Sequence, residues 1–263
     1  MKRPTLHGTA LEISGSGPPV VLLHGVGLNQ SIWAGQVTSL KSDFQVITYD
    51  LLGHGRSAPA GSNAPLSDWV DQLNSVVSDL KLQKFVIVGF SFGGLIAQAY
   101  AAQHSRVIEK LVLMSTVYDR SEAERSSVLT RLNLVKREGP QVIIPAALLR
   151  WFSPAFSKAH PEVINKYGAL LRGIDAASFL SAYECFARAD RELVGALAGF
   201  DRPSLVMTGE LDTGSTPAMA RKLAGMIPGA ECSIIAAGRH MMPVEMSEEV
   251  NSVLRRFLKK GSP

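Results

Sequence analysis

The sequence predicts an α/β protein whose central sheet is mostly parallel and is flanked by helices. Short apolar runs alternate with helix-like stretches from residue 10 to residue 114, and the alternation resumes after residue 203. The strand-like runs are apolar along their whole length rather than at every second position. Strands of this kind are typical of parallel sheets, because helices cover both of their faces.

Four strands and three helices are predicted in the first part of the chain. The longest helix has apolar residues at amphipathic spacing from Trp69 to Leu80, and Ser67 is its expected N-cap. The order of elements is strand, helix, strand, helix throughout. The predicted strands cover residues 20–25, 44–50, 84–90 and 109–116, and the predicted helices cover 31–40, 67–80 and 93–103.

The same order of elements returns near the end of the chain. A helix over 216–227 has Pro217 in its first turn, where a missing backbone N–H costs nothing. Strands are predicted over 203–210 and 231–237, and a closing helix is predicted over 246–260.

The middle of the chain differs from both flanking parts. From about residue 118 to residue 197 no convincing strand is present, and helix-like segments are interrupted by glycine and proline. We therefore expect residues 1–118 and 199–263 to form one α/β core and residues 119–198 to form a helical cap. Insertions at the carboxyl edge of such a sheet usually cover the ligand crevice.

Charge and hydropathy argue against nucleic acid or membrane as a partner. The net charge is +4, and the one dense basic cluster, at 255–260, suits the end of a last helix. No basic stripe contains interleaved aromatic residues, and no apolar run is long enough to span a bilayer. The first residues lack the apolar segment of a signal peptide, so we expect a cytoplasmic protein. A homo-oligomer is compatible with the sequence.

Cysteine usage gives no sign of a metal site. The two cysteines, Cys185 and Cys232, form no CxxC pair, and we expect both to be reduced, buried and apolar in behaviour. No cluster of histidine and carboxylate residues has the spacing of metal ligands. The sequence therefore predicts a reaction that uses neither a metal nor an organic cofactor.

A serine lies where a buried strand passes into a helix. Residues 89–93 read GFSFG and fit the G-x-S-x-G motif in its expected context of strand, sharp turn and helix. A tight turn strains the backbone of the central residue, and Gly89 and Gly93 avoid collisions two residues to either side. Ser91 is therefore predicted to expose its hydroxyl at a helix N-terminus, where negative charge is stabilised.

A serine hydroxyl needs a base, and the base needs an acid that orients it. His240 follows a predicted strand and precedes the last helix, so its loop would bring it to the carboxyl edge of the sheet. Asp212 follows the strand before that and gives the chain order Ser, Asp, His. Asp119, after the strand over 109–116, is the alternative acid.

When such a serine attacks a carbonyl group, the carbonyl oxygen becomes an anion, and backbone N–H groups are needed to stabilise it. The glycine turn after the first predicted strand places the N–H of Val26 near the edge of the sheet, with Gly27 as the alternative donor. The N–H of Phe92, next to the serine, is the second donor.

These motifs together resemble the α/β-hydrolase fold superfamily over nearly the whole chain. The segments that carry the resemblance are LLHGVG, YDLLGHGRS, VGFSFGG, TGELDTGSTP and GRHMMPVE. The resemblance implies that Ser91 is the nucleophile, His240 the base and Asp212 the residue that orients it. A serine at 91, rather than an aspartate, argues against haloalkane dehalogenases and epoxide hydrolases. By the same resemblance, the side chain of Phe92 is expected to shape the acyl pocket.

Within this superfamily the chain is similar to small hydrolases of ring-compound breakdown. These include 3-oxoadipate enol-lactonases and hydrolases of acylaminomethylene-succinates, and the cap segment at 148–164 resembles the former. We expect hydrolysis of an ester, lactone or enamide of a small metabolite that carries a carboxylate. Arg150 or Arg172 would pair with that carboxylate beside Trp151.

Three other functions use the same residues. The first is hydrolysis of a carbon–carbon bond in a ring-cleavage dienone, and the second is a cofactor-free peroxidase or perhydrolase reaction. The third is a small-molecule receptor that retains these residues but hydrolyses its ligand slowly. Within the hydrolase interpretation, either an acyl-enzyme forms on Ser91 or His240 activates water directly, and the sequence does not choose between them.

Overall fold

The computed structural model describes residues 8–260, and its central element is a sheet of seven strands in the order β1-β3-β2-β4-β5-β6-β7. β1 is antiparallel to β3, and all other neighbouring strands are parallel. The predicted fold class is therefore confirmed. The strands are β1 (Leu11–Ser14), β2 (Pro19–Leu23), β3 (Gln45–Tyr49), β4 (Phe85–Phe90), β5 (Ile108–Met114), β6 (Ser204–Gly209) and β7 (Glu231–Ile235).

Six of the α-helices within the described residues lie outside the segment between β5 and β6. The second begins at Leu66 with Pro65 as its N-cap, so the predicted N-cap at Ser67 was wrong by two residues. The six are α1 (Ala34–Leu40), which follows a 3-10 turn, α2 (Leu66–Asp79), α3 (Phe92–His104), α9 (Pro217–Met226), α10 (Met242–Glu245) and α11 (Ser247–Lys259).

The two faces of the sheet are buried under different helices because strand side chains alternate. On β2, Val21 packs in a cluster with residues of α2, α3 and α9, such as Trp69 on α2. Its neighbour Val20 packs on the opposite face with residues of α1 and α11, such as Leu254. This arrangement explains why the central strands read as continuous apolar runs.

The segment between β5 and β6 is helical in all its regular elements. Its helices are α4 (Glu122–Glu138), α5 (Ile144–Trp151), α6 (Pro154–Ala159), α7 (Pro161–Arg172) and α8 (Ala176–Arg188). Four of them, α4, α5, α7 and α8, share an apolar cluster that includes Val128 of α4, Ile144 of α5, Leu171 of α7 and Phe179 of α8. The exact division of the chain into core and cap stays a prediction.

A buried ion cluster fixes the start and the end of this helical segment. Asp190, whose side chain is fully buried, accepts from Arg120 at 2.8 Å and from Arg125 at 3.2 Å. Arg120 follows β5, Arg125 lies on α4, and Asp190 follows α8. Because an unpaired charge at this depth would be costly, the cluster holds these three elements together.

Both cysteines have free thiols. Cys185 is buried, but Cys232 is exposed, so its predicted burial was wrong. Cys232 lies on β7, at the edge of the sheet, where one face is incompletely covered.

Within residues 8–260, none of the helices is both long enough and apolar enough to cross a bilayer.

Candidate active site

Ser91 occupies a strained turn between β4 and α3. Its φ is 55° and its ψ is −114°, a combination that a residue with a side chain rarely adopts. Both flanking glycines are required: a Cβ on Gly89 would collide with the carbonyl of Gly93, and one on Gly93 would collide with the carbonyl of Leu23. The observed turn therefore needs glycine at both positions, for the steric reason that the sequence indicated.

Three hydrogen bonds hold this turn against the neighbouring strands. The N–H of Ser91 donates to the carbonyl of Met114 at 2.9 Å, and the hydroxyl of Thr116 donates to the carbonyl of Ser91 at 2.8 Å. On the other side, the N–H of Gly93 donates to the carbonyl of His24 at 3.0 Å. The strain at Ser91 persists because β2 and β5 fix the backbone on both sides.

His240 and Asp212 form a short hydrogen bond at the same edge of the sheet. Nδ1 of His240 lies 2.7 Å from Oδ2 of Asp212. The other carboxylate oxygen, Oδ1, accepts from the N–H of Gly214 at 2.9 Å and from the N–H of Ser215 at 3.0 Å. The loop therefore fixes the carboxylate, which in turn keeps the proton on Nδ1 and leaves Nε2 of His240 as a base.

The alternative acid does not reach this site. Asp119 lies on the surface, and its carboxylate pairs with Lys222 at 3.3 Å. The other carboxylates near the edge of the sheet have structural partners: Asp50 accepts from the N–H of Gln30 at 2.9 Å, and Glu210 accepts from the N–H of Ala237 at 2.8 Å. The geometry favours Asp212.

A cavity of about 470 Å³ brings the predicted groups together. Ser91, Asp212, His240 and Val26 all line it, and α4, α5, α7 and α8 provide its other walls. Most of those walls are apolar, with Ile144 among the lining residues. A cavity of this size accommodates a small organic molecule.

The turn after β2 supplies the first candidate oxyanion donor. The N–H of Gly27 donates to Nε2 of His54 at 3.0 Å, so it is already occupied. This occupation favours Val26 over Gly27 as the donor that faces a substrate. Phe92 begins α3, but its ring packs against Trp69 at 5.0 Å in the core. The expectation that the Phe92 side chain shapes the acyl pocket was therefore wrong, whereas its N–H remains a candidate donor.

Two of the three predicted substrate-binding residues line the cavity. Arg150 and Trp151 both do so, and the Trp151 ring lies 6.1 Å from the ring of His240. Arg172 does not: it is exposed at the end of α7, with its guanidinium beside Gly168. The structure thus corrects the prediction for Arg172, because the rotation of α7 about its axis turns this residue away from the cavity.

Arg131 is a cavity residue that the sequence did not single out. Its Nη1 donates to Ser127 at 2.7 Å and its Nε donates to the hydroxyl of Tyr183 at 3.3 Å. Arg131 lies one turn along α4 from the buried residue Val128, so the period of that helix contained a usable signal.

Arg131 and Arg150 place positive charge in the cavity. Across the described part of the chain, neither guanidinium forms an ion pair with aspartate or glutamate. Burial lowers the pKa of Arg150, and the charge of Arg131 lowers it further. Such a pair favours an anionic ligand, which would relieve the repulsion.

Comparison with known proteins agrees with this geometry. The family model for the alpha/beta hydrolase fold matches residues 18–245. The chain is similar to (E)-2-((N-methylformamido)methylene)succinate hydrolase of Acinetobacter baylyi, with 28% identity over 93% of this chain and 91% of the relative. It is also similar to 3-oxoadipate enol-lactonase 2 of the same organism, with 27% identity over 92% and 89%.

A solved structure gives the same result in three dimensions. The enol-lactonase from Burkholderia xenovorans superimposes with a TM-score of 0.88 and 28% identity, covering 95% of this chain and 96% of that one. Fold, motif order and family model all agree over most of the chain. The protein is therefore an enzyme of the α/β-hydrolase fold family.

Proposed function

We propose that this protein is a serine hydrolase that cleaves an ester, lactone or enamide bond in a small carboxylated metabolite. The observation that carries the proposal is the convergence of Ser91, at its strained turn, and the His240–Asp212 pair on one cavity. Acyl transfer of this kind requires a nucleophile, a base and an acid that orients the base, and these are the roles proposed for Ser91, His240 and Asp212.

The chemistry follows from these positions. Nε2 of His240 removes the proton of Ser91 as its Oγ attacks the substrate carbonyl, and the oxygen of that carbonyl becomes an anion. The N–H groups of Val26 and Phe92 stabilise the anion. The leaving group departs with the proton from His240, and water then attacks the acyl-enzyme in the same way, releasing a carboxylic acid and free Ser91.

The substrate class is inferred from the charge of the cavity. Within residues 8–260 neither Arg131 nor Arg150 forms an ion pair, although the charge of Asp212 acts on Arg150, and the hydroxyl of Tyr183 lies beside Arg131. Guanidinium groups bind carboxylates with paired hydrogen bonds. The names of two relatives, a methylene-succinate hydrolase and an oxoadipate enol-lactonase, denote carboxylated substrates and support the same class.

Turnover of a substrate panel by the wild type and Ser91→Ala tests the mechanism. The panel contains p-nitrophenyl acetate, an enol-lactone, an acylaminomethylene-succinate and a dienone acid. We expect wild-type turnover of at least one carboxylated lactone or enamide, and loss of that turnover in Ser91→Ala. Full activity in Ser91→Ala would refute the mechanism, and binding without any turnover by the wild type would favour a receptor.

Two arginine variants test the substrate class. Arg131→Gln and Arg150→Gln are each expected to raise KM for the carboxylated substrate about tenfold to a hundredfold, because a charge-assisted hydrogen bond is lost. Hydrolysis of uncharged p-nitrophenyl acetate should be unaffected. Arg137→Gln is the matched control, because Arg137 is exposed and lies on α4, the helix that carries Arg131. An equal loss with both substrates would contradict a role in carboxylate binding.

A further inference from the structure

The backbone turn that carries Val26 is held by a buried imidazole from a different loop. Nε2 of His54 accepts from the N–H of Gly27 at 3.0 Å, and Nδ1 of His54 donates to the carbonyl of Leu52 at 2.9 Å. The two bonds require a neutral ring with its proton on Nδ1, because Nε2 must accept. The side chain is 1% exposed, so water cannot replace either partner.

A second buried imidazole holds the other side of Val26. Nδ1 of His24 donates to the carbonyl of Gly25 at 2.8 Å, and its Nε2 accepts from the N–H of Leu51 at 2.9 Å. The two rings contact each other edge to face, with centroids 5.2 Å apart. The residues immediately before and after Val26 are therefore both bound to histidines that connect them to the loop after β3.

We infer that His54 is a positioning residue, whose acceptance of the Gly27 N–H directs the N–H of Val26 towards the oxyanion. This inference rests on the proposed function, in which Val26 stabilises that anion. The hydrogen bond occupies the neighbouring N–H and fixes the peptide on one side of the donor. Stabilisation of an oxyanion depends on donors that are already in place, so a loosened turn should slow the chemical step rather than substrate binding.

The surroundings of Gly27 explain why a hydrogen bond, rather than side-chain packing, fixes its backbone conformation. Its φ is +76°, and a Cβ there would collide with Leu171 of α7 and approach Phe179 of α8. A glycine without a side chain has no apolar contacts of its own to fix its conformation. His54 therefore supplies a constraint that no side chain at position 27 could supply.

The test compares His54→Leu with His54→Gln and with a matched control. Gln72 is buried in the same region and accepts from the N–H of Leu52 at 2.9 Å, but it has no hydrogen bond to residues 25–27. Gln72→Leu thus weakens the loop after β3 without releasing the turn directly. The readouts are kcat and KM per active site, counted by labelling Ser91 with an organophosphonate, and the affinity for a trifluoromethyl ketone that forms a tetrahedral adduct.

For His54→Leu we expect kcat per labelled site to fall about tenfold to a hundredfold, with KM nearly unchanged and the ketone bound correspondingly more weakly. His54→Gln should recover part of the loss, because its amide oxygen can accept from Gly27. Gln72→Leu should lower thermal stability while kcat per labelled site is retained. If His54→Leu does not fold, His54→Asn takes its place, since its shorter amide cannot reach Gly27.

Two results would overturn the inference. One is unchanged kcat and ketone affinity in the leucine or asparagine variant, and the other is an equal kcat loss in Gln72→Leu. Both are distinguishable from failure of the proposed function. That failure would appear as full activity in Ser91→Ala, whereas an inactive Ser91→Ala beside a fully active His54 variant would remove only the role of His54.

Discussion

Acid should destabilise this protein through His54, and the structure sets the size of the effect. Burial lowers the pKa of His54 from its usual value of 6.5 to about 4. Above pH 6.5 the ring is neutral in both the folded and the unfolded chain, so stability is complete there. Between pH 6.5 and 4 the unfolded chain binds a proton that the folded chain does not bind, and the free energy of unfolding falls as the pH falls.

The magnitude follows from the width of that window. Each pH unit inside it costs about 1.4 kcal/mol, so the full loss is about 3 kcal/mol, and most of a domain's typical 5–15 kcal/mol remains. Between pH 7 and pH 5 the expected loss from this one residue is about 2 kcal/mol. Burial also lowers the pKa of His24, so His24 adds a loss in the same direction.

Urea unfolding of the wild type and His54→Gln isolates the contribution of His54. Trp33 and Trp69 are fully buried, so tryptophan fluorescence reports unfolding. The wild type should lose about 2 kcal/mol more than the variant between pH 7 and pH 5, even if the variant is less stable at every pH. Parallel pH profiles for the two proteins would refute the assignment of a buried, neutral His54.

Two further predictions concern the acidic residues. Asp212→Asn should lower kcat about ten-thousandfold, because an amide no longer holds His240 in the tautomer that leaves Nε2 basic, and Asp119→Asn should remain near normal; steady-state kinetics on the best panel substrate decide, and the reverse pattern would move the acid to Asp119. Asp190→Ala should lower the free energy of unfolding, measured in urea, by about 3–5 kcal/mol, because Arg120 and Arg125 lose their buried partner. A change below about 1 kcal/mol would contradict the stabilising role of this ion cluster.

The sheet and its motifs could be predicted because their causes are local in the sequence. The glycines around Ser91 are dictated by backbone collisions within a few residues, and the buried strands are apolar throughout because both faces are covered. The exception is β1, an edge strand of four residues that is largely half-buried and lacks a continuous apolar run. Edge strands of this kind carry little signal in a single sequence.

Side-chain direction in the helical segment was harder to predict because it depends on how each helix is rotated in the folded chain. Arg150 and Arg172 both lie in the last turn of a helix, yet only Arg150 faces the cavity. Arg131 faces the cavity from α4. The sequence supplies the charges and the period of each helix, but the neighbours against which each helix packs determine which charge lines the site.

The buried state of His54 connects its expected cost in acid with its proposed use at the site. A neutral imidazole is a donor at one nitrogen and an acceptor at the other, so one ring can join the N–H of Gly27 to the carbonyl of Leu52. A protonated ring would lose the acceptor and release Gly27. The burial that lowers the pKa to about 4 therefore keeps the acceptor available down to that pH, at the expense of stability below pH 6.5. A better-solvated histidine would remove the acid sensitivity, but it would release the turn beside Val26 at a pH closer to neutral.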